Sequence, residues 1–440
     1  MLHTKSNKIG LIASIAFAVG AMVGGGVFAL TGVALQQAGP AALVSFVLAG
    51  VMVLLSAFSF TVIASMASAK QPGYAYVGKV LGSPIWGFLT SWCFYLAGII
   101  GAAFVLNAFG AYVHEFIVPS VPGVVWALGG AALLTLINLG PASSIGRIEV
   151  FLVGGKLAIL IALIIAGILH FHLAELQPFT PHGGQAILAT SAFLFIAFLG
   201  FNVITNMASD IKNPHKTIPR AIFISMLIVI LVYLGVALAL LAAQITDYSE
   251  SSVGTAAQQL MGPIGGGLVV AGALISTLSS GNANILGASE IMVRLAAAKQ
   301  VPTALGRMTH GHPYMSVVGS AVLYVLLILS GQSQIVINLA NITALFALII
   351  VNIAAAKALA SSSHTGQRLP FGWLLPVLGT IAAAGQFFFI PVESIIIGAA
   401  LALSGSLLYL LRRRLHRPVL HRQISSTVDT VQGPLGRSLH

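Results

Sequence analysis

The chain has 440 residues, of which 58% are apolar and 7% charged, with a mean hydropathy of +1.01. Soluble domains carry about 25% charged residues to meet water, so water-soluble domains are excluded, and with them nucleic acid as the partner behind the net charge of +11. The apolar residues lie in runs of about 20, the helix length that crosses ~30 Å of hydrocarbon, without the ~10-residue alternation of barrel strands. The expected class is an all-α polytopic membrane protein.

The first run, Ile9–Gln36, follows Lys5 and Lys8 as a signal peptide would, but it continues past any cleavage point and reads as a span. Within it, Gly20-Ala-Met-Val-Gly-Gly-Gly-Val-Phe28 places four glycines in seven positions. Each weakens a helix by about 1 kcal/mol relative to alanine. Gly20 and Gly24 have the spacing of a helix-packing face, yet packing does not need three consecutive glycines. The run reads as a local unwinding that exposes backbone groups at mid-membrane, which is tolerated only against a cavity.

The second run, Ala41–Ala69, ends in Lys70-Gln-Pro-Gly-Tyr-Ala-Tyr-Val77. The third, Pro84–Ile117, holds the single cysteine, Cys93, which reads as a small packing residue. Val124–Leu139 is the fourth. The fifth, Val150–Leu169, contains Lys156 in Val153-Gly-Gly-Lys-Leu-Ala-Ile-Leu160. A charged lysine at helix centre costs at least ~2.5–3.5 kcal/mol on insertion scales. It sits near the limit of reach to the interface beside Arg147 and Glu149, and no carboxylate lies deep in any run. The expected compensation is therefore the carbonyls of an unwound helix, or small hydroxyls.

In the sixth run, Ile187–Ser209, the segment Phe195-Ile-Ala-Phe-Leu-Gly-Phe-Asn202 sets Gly200 among aromatics, with Asn202, Thr205 and Asn206 following. The signal is weak alone, and its weight comes from position. Spans one and six open two five-helix halves, and interruptions at matching places mark an inverted-repeat transporter with a midplane site. The run ends in Asp210-Ile-Lys-Asn-Pro-His-Lys-Thr-Ile-Pro-Arg-Ala-Ile222, where Pro214 and Pro219 stop one helix and start the next.

Ile218–Ala243, Gly265–Ala297, Met315–Leu329, Ile335–Leu359, Trp373–Phe389 and Ser394–Leu411 complete twelve expected spans. They group into a first repeat (about 9–170), a second (about 187–360) and two further helices (about 371–411), all within one transport domain, 1–411. The basic tail, 412–440, reads as a stop-transfer segment and anionic-lipid contact. All but one of the 20 Lys and Arg fall in alternate loops and this tail, while the opposite loops hold Glu115, Glu175, Asp247, Glu250 and Glu393. Cations stay on the cytoplasmic side during insertion, which places both termini there. The exception is Lys156. His170, His172 and His182 share one loop and His310 and His312 another, but no Cys or carboxylate ligand set accompanies them, so neither a metal nor another cofactor is expected.

The glycine-rich break, the Pro-Gly-Tyr stretch, Lys156, the Gly200-Phe and Asp210-Ile-Lys-Asn-Pro … Ile-Pro-Arg-Ala run, and Ser289 through Pro302 together resemble the amino acid–polyamine–organocation (APC) superfamily of permeases. The resemblance implies a LeuT-like 5+5 inverted repeat with helices 1 and 6 discontinuous, plus two C-terminal helices. It implies that the amides of Gly25 and Gly26, beside Gly24, hold a substrate carboxylate, and that the carbonyls of Met22, Ile196 and Leu199 accept from the ammonium. Phe198 or Phe201 would close over the substrate, with plain aromatic packing as the competing role. Ala97, Gly98 and Ala102 are the matching third-span positions, small and apolar, with room for an aliphatic side chain. Asn282 and Asn284 are the nearest polar groups, with interhelical hydrogen bonding as their competing role. Lys156 resembles the lysine that stands where other members hold a structural sodium ion. The chain departs from the family pattern at Gly25, often Ser; at Asn202, usually acidic; and at Ser289-Glu290, commonly Ser-Arg.

The expectation is a sodium-independent amino acid permease for neutral, aliphatic substrates, working by alternating access in a plasma membrane of the bacterial inner-membrane type. Proton coupling and substrate exchange are both open. The alternatives are a polyamine or organic-amine permease or exchanger and, more remotely, a channel or membrane-embedded transferase. A transferase would need nucleophiles, carboxylates or metal ligands clustered at one depth, and the runs hold only one lysine with scattered Ser, Thr and Asn.

Overall fold

The computed structural model describes residues 9–66, 73–139, 145–201, 204, 211–308, 313–361 and 372–431. Asn202, Thr205, Asn206, Asp210, His310 and His312 lie outside the described residues, as do most of the Lys70–Tyr74 stretch and the ends of both termini. Among the described residues the only β contact is an isolated parallel bridge between Ile9 and Ile211. Lys212 N–H donates to Ile9 O at 2.9 Å beside it, tying the entry of the first helix to the segment beyond the sixth run.

Among the described residues, seven helical stretches are long and apolar enough to cross a membrane, and four shorter apolar helices accompany them. The first stretch, Leu11–Met66, is not one rod. It comprises α1 (Leu11–Met22), a π-helical turn (Gly26–Leu30), α2 (Thr31–Ala38) and α3 (Ala42–Met66). Gly39, at φ +61, makes the turn into α3. There follow α4 (Gly73–Leu81), α5 (Pro84–Phe116), α6 (Gly123–Leu139), α7 (Ile145–His170) and α8 (Gly184–Leu194), which tightens into a 3-10 turn at Phe195–Phe198. The second half is α9 (Pro214–Ala242), α10 (Ser252–Ala297), α11 (Tyr314–Leu329), α12 (Ser333–Ala360), α13 (Leu374–Gln386) and α14 (Val392–Val431).

Burial runs the opposite way from a soluble protein. Large apolar side chains such as Ile12 (85% exposed), Leu403 (65%) and Phe388 (89%) cover the outside, where only hydrocarbon accommodates a continuous apolar surface. The membrane therefore gives no hydrophobic force between helices, and close packing plus interhelical hydrogen bonds hold them. The long α5 is the central post, packed on α6, α10, α11 and α12. A polar seam joins α5, α6, α10 and α11: Asn138 Nδ2 donates to Asn282 Oδ1 at 2.7 Å, Thr135 pairs with Tyr324, and Tyr95 pairs with Ser320.

One element begins well before its apolar run. α10 starts at Ser252 rather than near Gly265, and it is interrupted at Gly262, whose φ of 72° no helical residue adopts. Its first segment carries Ser, Thr and Gln side chains, so apolar content alone does not reveal it.

Candidate functional site

The first helix stops at Met22 and resumes at Gly25, whose dihedrals are already helical, leaving Val23 and Gly24 outside helical geometry. A helix end strands the last turn's carbonyls, and side chains from three other helices meet them here. Lys156 Nζ, from α7, donates to Gly20 O at 3.4 Å. Tyr233 OH, from α9, is shared between Met22 O at 2.8 Å and Ala197 O at 2.7 Å. Ser276 Oγ, from α10, donates to Val23 O at 3.3 Å. Lys156 itself is 3% exposed, so its charge is compensated inside the protein.

The glycines of the break are there for close approach as much as for unwinding. A Cβ on Gly20 would stand 2.3 Å from Val153 Cγ2, and one on Gly25 2.2 Å from Val105 Cγ1. One on Gly24 would overlap the Ser280 hydroxyl, and one on Gly26 would stand 3.2 Å from Ala197. Each glycine thus lets a different helix reach the break.

The sixth run breaks in its own way. α8 gives way to a 3-10 turn at Phe195, Leu199 is extended (φ −70°, ψ 141°), and Gly200 takes φ +135°. Gly200 lies directly against Ala21 and Met22, so the two interruptions touch. Asn341 Nδ2, from α12, donates to Phe193 O at 3.0 Å and satisfies one of the stranded carbonyls of α8.

Between the two breaks and the faces of α5 and α10 lies a cavity of about 150 Å³. Met22, Gly25, Gly26, Ala97, Gly98, Ile196, Leu199 and Asn284, among the residues singled out by sequence, line it. Gly24, Ala102, Phe198, Phe201 and Asn282 do not. Gly24 backs onto Ser280, and Ala102 is fully buried. Phe198 packs on the Tyr233 ring at 5.1 Å and Phe201 on Phe60 at 5.4 Å. Asn282 is held by Asn138. The wall also contains Gly200 and Ser280, and residues that sequence did not indicate, including Leu30, Phe94, Gly101, Phe104, Val105 and Ile291. No charged side chain is among the lining residues.

The backbone supplies the polarity that the side chains lack. Gly25 and Gly26 open the second half-helix, where the first N–H groups have no intrahelical acceptor and the helix dipole favours an anion. On the carbonyl side, Met22 O already accepts from Gly24 N–H at 2.9 Å and from Tyr233, whereas Ile196 O accepts from Leu199 N–H at 3.0 Å. A carbonyl oxygen has two lone pairs, so among the described residues Ile196 O retains one.

Comparison with known proteins agrees with this architecture. The family model described as amino acid permease matches residues 14–402. The chain is 30% identical over 319 residues to the inner membrane transport protein YbaT of Escherichia coli K12, covering 70% of this chain and 74% of that one. It is 27% identical over 419 residues to the serine/threonine exchanger SteT of Bacillus subtilis, covering 88% and 92%. It is 25% identical over 435 residues to the branched-chain amino acid permease BcaP of Lactococcus lactis, covering 90% and 92%.

Proposed function

The chain belongs to the amino acid permease family, and on that premise we propose that it is a sodium-independent secondary transporter of neutral amino acids. The observation that carries this reading is the pair of touching helix breaks around one cavity that contains no charged side chain. A zwitterion suits such a place. Its carboxylate would meet the amides of Gly25 and Gly26, and its ammonium the carbonyls of Ile196 and Leu199, with Met22 O joining when Tyr233 releases it. A cationic side chain would find no carboxylate among the lining residues, which favours neutral substrates. The relatives named as a serine/threonine exchanger and a branched-chain amino acid permease fit that class.

In this reading the α1–α2 stretch and α8 with its continuation are the discontinuous helices 1 and 6 of a twelve-span, 5+5 inverted repeat (9–170 and 187–360). α13 and α14 are the two additional helices, and α4 is a short connecting helix. Alternating access would come from the broken helices rocking against α5, α6, α10 and α11, biased by whichever state the substrate binds better. Lys156 would hold the first break in place of a sodium ion, and both proton coupling and exchange fit such a site. The protein would lie in a bacterial-type inner membrane with both termini cytoplasmic and its basic tail on anionic lipid, acting as a carrier rather than an enzyme.

The test is a thermal-stability screen of the purified protein against the twenty amino acids and several diamines in sodium-free buffer, followed by counterflow in liposomes. A ligand that binds only the folded state raises its stability by RT ln(1 + [L]/Kd). Neutral amino acids that raise Tm and drive counterflow without sodium support the reading. Stabilisation by diamines alone selects the organic-amine alternative, and a sodium requirement removes the role given to Lys156.

A further inference from the structure

The face that α10 turns to the cavity comprises Ser280, Ala283, Asn284, Gly287, Ala288 and Ile291, the three-and-four spacing of one helix side. Ser280 and Asn284, one turn apart, carry the only polar side chains among the described lining residues. The Ser280 hydroxyl is buried and has no hydrogen-bond partner among the described residues; it stands over Gly24 at the first helix break. Asn284 differs from Asn282, whose carboxamide is held by Asn138 at 2.7 Å. Its own carboxamide points at α5, where a Cβ on Gly101 would lie 3.4 Å from Nδ2, and it makes no hydrogen bond to another described residue. A Cβ on Gly98 would likewise meet the Asn284 carbonyl oxygen at 3.4 Å, so the glycines of α5 leave a methyl-sized space beside this residue.

From this geometry we infer that the site selects, within the neutral class, small amino acids bearing a side-chain hydroxyl, and that Asn284 is the residue that reads it. The inference rests on the cavity being the amino acid site. Ser280 lies at the first break, against Gly24, and Asn284 lies one turn farther along α10, beside Gly98 and Gly101 of α5. Asn284 offers a donor and an acceptor, and a hydroxyl offers both in return. An aliphatic substrate would fill the same space and leave the carboxamide desolvated and unpaired. Sites built to hydrogen-bond a substrate hydroxyl discriminate against the analogue lacking it for this reason. A side-chain hydroxyl in the cavity would pair with Asn284, which favours threonine over the equally shaped valine, and serine over alanine.

The experiment is competition by threonine and by valine against a labelled neutral amino acid in proteoliposomes, for the wild type, Asn284→Leu and Asn284→Ser. The threonine-to-valine affinity ratio comes from a single preparation, so loss of folded protein cancels. The expected ratio is about tenfold in the wild type, near one or inverted in Asn284→Leu, which keeps the volume without the carboxamide, and intermediate in Asn284→Ser. A wild-type ratio near one, or an unchanged ratio in Asn284→Leu, overturns the inference while leaving transport of neutral amino acids standing. If no neutral amino acid competes, the transport reading fails and the inference with it.

Discussion

The ammonium of Lys156 lies 3.4 Å from the carbonyl oxygen of Gly20, two residues before the first helix stops at Met22. A positive charge at a helix C-terminus meets stranded carbonyls and the negative end of the dipole together, and here it joins α7 to the break. Two terms oppose each other on removing it. An unsatisfied buried carbonyl costs about 1–3 kcal/mol, while relieving the membrane of a charge returns at least ~2.5–3.5 kcal/mol on insertion scales. For Lys156→Met these nearly cancel, so Tm is expected to move by only a few degrees. Transport should nevertheless fall by at least tenfold, because the break then loses its hydrogen bond from α7. A large loss of Tm with normal uptake per folded molecule would show the lysine to be structural only.

Tyr233 joins the two breaks through one hydroxyl, shared by Met22 O and Ala197 O. Its ring is held separately, against Phe46 at 5.4 Å and Phe198 at 5.1 Å. Tyr233→Phe therefore isolates the hydroxyl without opening a cavity. The expected cost is ~1–3 kcal/mol for buried carbonyls left unpaired, read as a lower Tm. Uptake should also slow, since the two interrupted helices lose a shared donor. An unchanged Tm would show that the carbonyls find other partners.

The two breaks differed in how far the sequence exposed them. Four glycines within Gly20–Gly26 cannot hold a regular helix at mid-membrane, so the first interruption is a local property of the chain. The second is not. Gly200 marked the region, but α geometry ends at Phe195, where Asn341 and Tyr233 take over carbonyls that the helix no longer satisfies. Those donors come from 148 and 36 residues away in the chain. Tyr233 itself sits in an apolar 29-residue helix with nothing nearby to single it out. Asn282 and Asn284 were indistinguishable as letters, and only the placement of Asn138 separates the scaffold asparagine from the one at the cavity. The all-helical, apolar character and the first break follow from local composition, whereas the cavity wall follows from contacts between distant segments.

Outside the spans, Glu250 lies partly buried in the segment between α9 and α10. Burial raises its carboxyl above the usual 4.5, and a hydrogen bond from Ser333 offsets part of the rise. The native state therefore holds this proton more tightly than the unfolded chain does. Wherever the native state binds more protons, stability falls as pH rises. The Glu250 contribution is thus greatest below about pH 4.5 and declines as pH climbs through the raised value. Glu250→Gln cannot ionise, so the Tm difference between variant and wild type should grow in the variant's favour across that window. A difference that shrinks with rising pH would mean the carboxylate is stabilised where it sits.

Gly20 and Val153 make the tightest approach of α7 to α1 at this glycine, and a double substitution tests it. A Cβ on Gly20 would stand 2.3 Å from Val153 Cγ2, but 3.5 Å from both Val153 Cβ and Cγ1. Gly20→Ala alone must push α7 outward, with an overpacking cost of about 1–3 kcal/mol. That displacement carries Lys156, less than one turn along the same helix, away from the Gly20 carbonyl. Val153→Ala removes the offending methyl and leaves Cβ at ordinary contact distance, so the Gly20→Ala/Val153→Ala pair should recover stability and uptake that the glycine variant loses. The expected coupling is ~0.5–3 kcal/mol, measured by thermal unfolding of both single variants and the pair. Strictly additive losses would show that α1 and α7 are not held apart by this methyl, and that the glycine serves the backbone conformation instead.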